Sequence, residues 1–327
     1  MLDFSTWTKV IFVTDNHLCS RSSVISGQGQ VFSDRLENQI ECIKWVNSFN
    51  LPVIHLGDFT DKALITAEEQ TCLDILKPYI KNWVFLRGNH EYAGDFDVLG
   101  ALNGTYIRKP TEANIGGLKT LFLPFNSKEE DIKDTYDLIL GHIGIEGIPF
   151  GAKGFKFDII DKACRVFLNG HLHNRLELGK DKWNMGSLTA QNFSDNDLDY
   201  RKGLVRLDTK TGHLEFIENP YAFNFYKFTW ADYLRKYKDT EIGRAIRSKN
   251  SCISMTCKEG EKSNILESRE FSQAYYLRIS EDITSNKVKE SKVAIGQLDH
   301  LEKFRTSFID KAGDNQIVLE ELAEVLK

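Results

Sequence analysis

Five short apolar runs in this chain each stop at a polar cluster, and that pattern narrows the fold more than any other feature. Lys9–Thr14 runs into Asp15-Asn16-His17, Val53–Leu56 into Gly57-Asp58, and Trp83–Leu86 into Arg87-Gly88-Asn89-His90-Glu91. Asp137–Leu140 runs into Gly141-His142, and Cys164–Leu168 into Asn169-Gly170-His171-Leu172-His173. Runs this short, bounded by turn residues, read as buried strands. Helical patterns separate the first three. Asp34 reads as an N-cap with Glu37 completing a capping box, and Leu36, Ile40, Ile43 and Val46 follow at helical spacing. Ile65–Ile80 is again helical, with Cys72, Leu73, Leu76 and Ile80 on one face. Strand alternating with helix predicts an α/β domain, and sites in such sheets lie beyond the carboxyl ends of the strands.

The residues at those ends are Asp15, His17, Asp58, Asn89, His142, His171 and His173: two carboxylates, one amide oxygen and four imidazoles. Mixed oxygen and imidazole donors suit manganese, iron or zinc better than magnesium or calcium. The set is too large for one tetrahedral site and about right for two ions sharing a carboxylate. Asp58, from a central strand and without a neighbouring ligand, is the natural bridge. His171 and His173 alternate in extended chain, so they can reach different ions. Two ions about 3.5–4 Å apart would clamp a phosphate and activate a hydroxide between them. Such a site is locally positive, although the protein carries a net charge of −5. His90, next to Asn89, is the candidate general acid, with Glu91 expected to hold it. His55, His213 and His300 are read as structural or solvated.

The acidic balance gives no global field for nucleic acid. No run is long enough to span a membrane, and Met1-Leu2-Asp3-Phe4 does not open a signal peptide. The six cysteines are scattered without a CxxC pair, as expected of reduced thiols in a cytoplasmic protein. The loop Cys19–Ser33, rich in Ser, Gly and Gln, is long enough to serve a neighbouring site.

Taken in order, D-x-H, GD, GNH-acid, GH and GHxH resemble the signature of the calcineurin-like metallophosphoesterases, over residues 9 to about 220. The resemblance implies a four-layer αββα sandwich of two mixed sheets. It also implies that Asp15, His17, Asp58 and His173 hold one ion and Asp58, Asn89, His142 and His171 the other, with His90 as acid. Manganese is the expected cofactor, with iron or zinc as alternatives.

Within that family the chain is most similar to the DNA repair nucleases of the SbcD or Mre type. Gly186-Ser187, Lys202-Gly203 and Phe216–Pro220 match the closing stretch of that group, and Gly57-Asp58-Phe59-Thr60-Asp61 resembles its GD-x-x-D. Leu86-Arg87-Gly88-Asn89-His90-Glu91 instead follows the Ser/Thr protein phosphatases, so a phosphatase of phosphoproteins or small phosphoesters is the alternative. The expected domains are a nuclease domain over 1–225 and a small α+β capping or partner-binding region over 226–327. The latter should hold a charged helical piece (Tyr233–Lys249), strands at Ala274–Ile279 and Lys292–Ile295, and an amphipathic helix after Asp314. The implied partners are DNA and an SMC-like ATPase, with homodimerisation left open. Arg21, Lys153, Lys156 and Arg201-Lys202 are candidate contacts to a DNA backbone.

Overall fold

A computed structural model describes residues 1–20, 24–25, 27–29, 31–91, 99, 104–148, 154–195, 197–198 and 200–282. Arg21, Lys153, Lys292–Ile295, His300 and the helix expected after Asp314 lie outside that set. The chain divides into two units, Met1–Glu281 and Asp282–Lys327. The elements below belong to the first, apart from the last residue of the last strand.

The first part runs β1 (Leu2–Phe4), β2 (Lys9–Val13), α1 (Asp34–Ser48), β3 (Val53–His55), α2 (Ala67–Ile80), β4 (Val84–Leu86) and β5 (Thr105–Ile107). It continues with β6 (Thr111–Ile115), β7 (Leu118–Leu123), β8 (Tyr136–Gly141), α3 (Phe157–Ala163) and β9 (Cys164–Asn169). Then come β10 (Leu176–Gly179), β11 (Lys182–Asn184), β12 (Gly203–Asp208), β13 (Leu214–Glu218) and β14 (Asn224–Thr229). A short α4 (Trp230–Asp232), α5 (Glu241–Ile246), β15 (Ser251–Lys258), α6 (Lys262–Glu267) and β16 (Tyr276–Asp282) complete it.

Among the described residues the strands form two large mixed sheets. One has the order β1-β6-β7-β8-β9-β11-β10, the other β13-β12-β2-β3-β4-β5. Alternation along β2 builds two cores from one strand. Val10 and Phe12 meet Phe122, Leu138, Val166 and Leu168 of the opposing sheet. Ile11 and Val13 join Leu36, Ile43, Cys72 and Leu76 under α1 and α2. On the far side α3 packs Ile160 and Ala163 against Ile139 and Phe167. The result is the expected helix–sheet–sheet–helix sandwich. All six cysteines are buried thiols, none of them in a disulfide.

Local differences have local causes. Ser33, not Asp34, caps α1, accepting a hydrogen bond from the Leu36 amide. Glu37 turns back to the amides of Val31 and Phe32, closing the preceding loop rather than a capping box. Asn224–Thr229, in an aromatic-rich stretch for which no element was expected, is strand β14, pairing in parallel with β15. Over Tyr233–Lys249 a wide turn at Tyr233–Tyr237 and a separate α5 replace one helix. Thr240 caps α5 through the Gly243 amide, which restarts the helix there.

Candidate metal centre

Seven expected ligands converge at one edge of the sandwich, four from one sheet and three from the other. Asp15 and His17 follow β2, Asp58 follows β3 and Asn89 follows β4; His142 follows β8, and His171 and His173 follow β9. Backbone bonds stitch the loops together: the Asp15 amide donates to Gly57 O at 3.0 Å and the His17 amide to Asp58 O at 3.0 Å. Asp15, His17, Asp58 and His171 all have left-handed backbones, with φ between 45° and 78°. That conformation is uncommon for residues with a Cβ and persists only where the surroundings enforce it. Gly88 is required for a different reason, since a Cβ there would lie 2.1 Å from Asp58 Oδ1.

Three groups of donor atoms lie close enough together to share a cation: Asp15 with His17 and His173, His17 with Asp58 and His90, and Asp58 with His142 and His171. Asp58 Oδ2 is 3.7 Å from His17 Nε2 and 3.2 Å from His142 Nε2, so one carboxylate faces both sides of the centre. Asn89 Oδ1 lies 2.9 Å from His171 Nδ1 and 3.2 Å from His142 Nε2.

The imidazoles test whether cations fit. His142 Nδ1 lies 2.7 Å from the Leu56 carbonyl, which can only accept, so Nδ1 carries a proton. In the neutral ring Nε2 is then a bare lone pair aimed at Asp58 and Asn89 oxygens. His173 Nδ1 likewise meets Asp195 Oδ1 at 3.0 Å, and its Nε2 lies 2.9 Å from His17 Nε2. Outer nitrogens tied to oxygen and inner ones turned to a common centre are the arrangement of metal-binding histidines. The donor set fits divalent cations.

The electrostatics agree. Burial acts to depress the His17 imidazole, but Asp15, Asp61 and Asp58 outweigh it and raise its pKa to about 10. Burial is likewise overcome at His142, chiefly by Asp58, raising it to about 9. Burial works to raise Asp15, but His17 leads the groups that lower it to about 2. Without cations, protons on these rings neutralise the buried carboxylates.

Glu91 does not hold His90. Its carboxylate accepts the amides of Asp58 (3.1 Å), Thr60 (2.9 Å) and Gly88 (2.9 Å), bracing two ligand loops. Three amides satisfy the carboxylate, while the His90 ring is bonded elsewhere. The His90 ring is held by the Asp61 carbonyl, 2.6 Å from Nδ1, and its amide donates to Asp58 Oδ1 at 2.9 Å. Lys202, expected at the surface, is buried instead: its Nζ donates to His173 O at 2.6 Å and pairs with Asp197 at 3.2 Å. Arg201 pairs with Glu218. His55 is structural, between Asn16 Oδ1 and the Gly57 amide, and burial lowers its pKa to about 3.

Two carboxylates were not anticipated as parts of the centre. Asp61 Oδ1 lies 3.4 Å from His17 Nδ1, and Asp195 secures His173. The GD-x-x-D spacing was a signal for Asp61. Asp195 has no local motif, because it reaches His173 only through the fold.

The family model for calcineurin-like phosphoesterases matches residues 8–175, just over half of the chain. The chain belongs to the calcineurin-like phosphoesterases. This calcineurin-like phosphoesterase resembles the solved structure of an archaeal phosphodiesterase at 16% identity, over 64% of this chain and 98% of the other, with a TM-score of 0.36. No curated protein matches it. The matched span contains every expected ligand and His90, whereas Asp195 and Lys202 lie beyond it. With its His/Asp clusters, the calcineurin-like phosphoesterase is a metal-dependent enzyme with a dinuclear centre for divalent ions. No helix among the described residues is long and apolar enough to cross a membrane.

Proposed function

We propose that this phosphoesterase is a phosphodiesterase that cleaves DNA, in the manner of the repair nucleases it resembles. The supporting observation is the seat of His173. Ser187, Asp195 and Lys202 all bond to it, through its carbonyl or its ring. All three lie in the stretch from Asn184 to Pro220 that carries the resemblance to the SbcD type. A pair of divalent ions, manganese foremost, supplies charge to a bound phosphate and lowers the pKa of water. Asp15, His17, Asp58 and His173 would hold one, and Asp58, Asn89, His142 and His171 the other.

The chain's own contribution to leaving-group departure is His90. Its Nδ1–H is committed to the Asp61 carbonyl, so Nε2 carries a proton only in the imidazolium, and His90 acts as acid in its charged form. Glu91 positions the Asp58 and Asn89 loops. Residues 226–327 serve as cap and as the docking region for an SMC-like ATPase. The alternative, a phosphatase of phosphoproteins or small esters, is favoured by the Leu86–Glu91 sequence alone.

The test is turnover with manganese on a DNA hairpin, a 3′ overhang and p-nitrophenyl phosphate. DNA cleavage whose binding weakens steeply with salt is the expected result. Activity confined to the monoester would overturn it.

A further inference from the structure

Beside the metal centre lies a cavity of about 360 Å³ whose lining includes Ile148, Leu172, Leu176 and Arg175 together with His171 and His173. Anything filling it therefore adjoins two of the residues proposed to hold the ions. The wall is mostly apolar, and its acidic group, Asp195, is already bonded to His173, so the cavity is unsuited to a second phosphate.

Arg175 is the unusual residue. Its guanidinium carbon lies 3.9 Å from the centre of the Phe216 ring, 4.5 Å from that of Trp183 and 5.7 Å from that of Tyr200. Its Nε is buried without a hydrogen-bond partner, and among the described residues no carboxylate pairs with it. A partly desolvated cation held among aromatic rings beside apolar side chains complements a flat ring carrying electronegative acceptors. The loop that presents it is fixed, since Asn184 Nδ2 donates to both Leu172 O (2.7 Å) and Asn174 O (3.0 Å).

We infer that this cavity is a subsite for the nucleobase adjoining the phosphate, with Arg175 as the residue that selects it. The inference rests on the phosphodiesterase reading and adds a preference for a nucleoside ester over a ring-free one.

The test is calorimetric binding to the full, manganese-loaded chain of three monoesters: methyl phosphate, phenyl phosphate and thymidine 5′-monophosphate. Thymidylate should bind roughly ten-fold or more tighter than methyl phosphate, the scale of stacking one base, and tighter than phenyl phosphate. Arg175→Met keeps an unbranched chain among the rings but removes the donors. Leu176→Trp fills the cavity from a position 38% exposed, where the larger side chain does not threaten folding. Either variant should bring the thymidylate-to-methyl ratio close to one. A ratio near one in the wild type, or preserved in both variants, overturns the subsite while leaving the phosphoesterase standing. Equal binding of phenyl phosphate and thymidylate overturns the nucleobase as occupant. Failure to bind any of the three overturns the subsite and leaves the phosphodiesterase reading to the DNA cleavage assay.

Discussion

Replacing Asp195 by alanine should loosen one cation and spare the other. Its carboxylate keeps the proton on His173 Nδ1 and turns Nε2 inward, and the loss of such a partner typically weakens metal affinity about 10–100-fold. Calorimetric titration of the metal-free variant with manganese should show one weakened step, since His142 and His171 do not touch Asp195. Two unchanged steps would exclude the role. His90→Gln should keep both ions yet lose about 10²–10⁴-fold in turnover on esters with poor leaving groups. Metal content measured beside turnover separates a lost proton donor from a lost centre. The raised values at His17 and His142 set a pH dependence. At pH 7 both rings hold protons in the metal-free protein, so binding must expel them. Affinity should rise with pH through neutrality and level off above about 10. Calorimetry in buffers of different ionisation heat should count about two protons released at pH 7.

The elements that place the ligands are short and depend on their caps. In α2, Thr66 accepts the Glu69 amide while Glu69 accepts the Thr66 amide, a reciprocal box at the end nearest the Asp61 turn. Thr66→Ala should cost about 1 kcal/mol in urea unfolding, with metal stoichiometry intact; altered stoichiometry would mean that the cap reaches the centre. Strands β2, β3, β4, β8 and β9 are legible in sequence because burial on both faces makes them continuous apolar runs. Strands β5, β6, β10 and β11 are not, being short and partly exposed at or near sheet edges. The proposed ligands stand out because a glycine or a histidine at a strand end is a local signal. The bracing by Glu91, Asp195 and Lys202 does not, because it joins residues far apart in the chain. Tyr233–Lys249 reads as one helix because its charges repeat helically. Arg247, however, bonds the Lys238 carbonyl and pairs with Glu270, which holds the break between its halves.

For the molecule as a whole, the proposed ligands are divided between the two sheets: Asp15, His17, Asp58 and Asn89 come from one, His142, His171 and His173 from the other. In the proposed assignment each cation ties one sheet to the other, and it should bind only when they are packed face to face. By mass action, free ion at a hundred times its dissociation constant adds about 2.7 kcal/mol to stability. Melting temperature should climb with manganese concentration and drop on chelation, as differential scanning fluorimetry would record. A midpoint indifferent to the ion would mean that the sheets hold without it. The cation is thus a rivet as well as a reagent. Where it is scarce, fewer molecules survive folded, and the shortage would register first as missing protein and only then as slow chemistry.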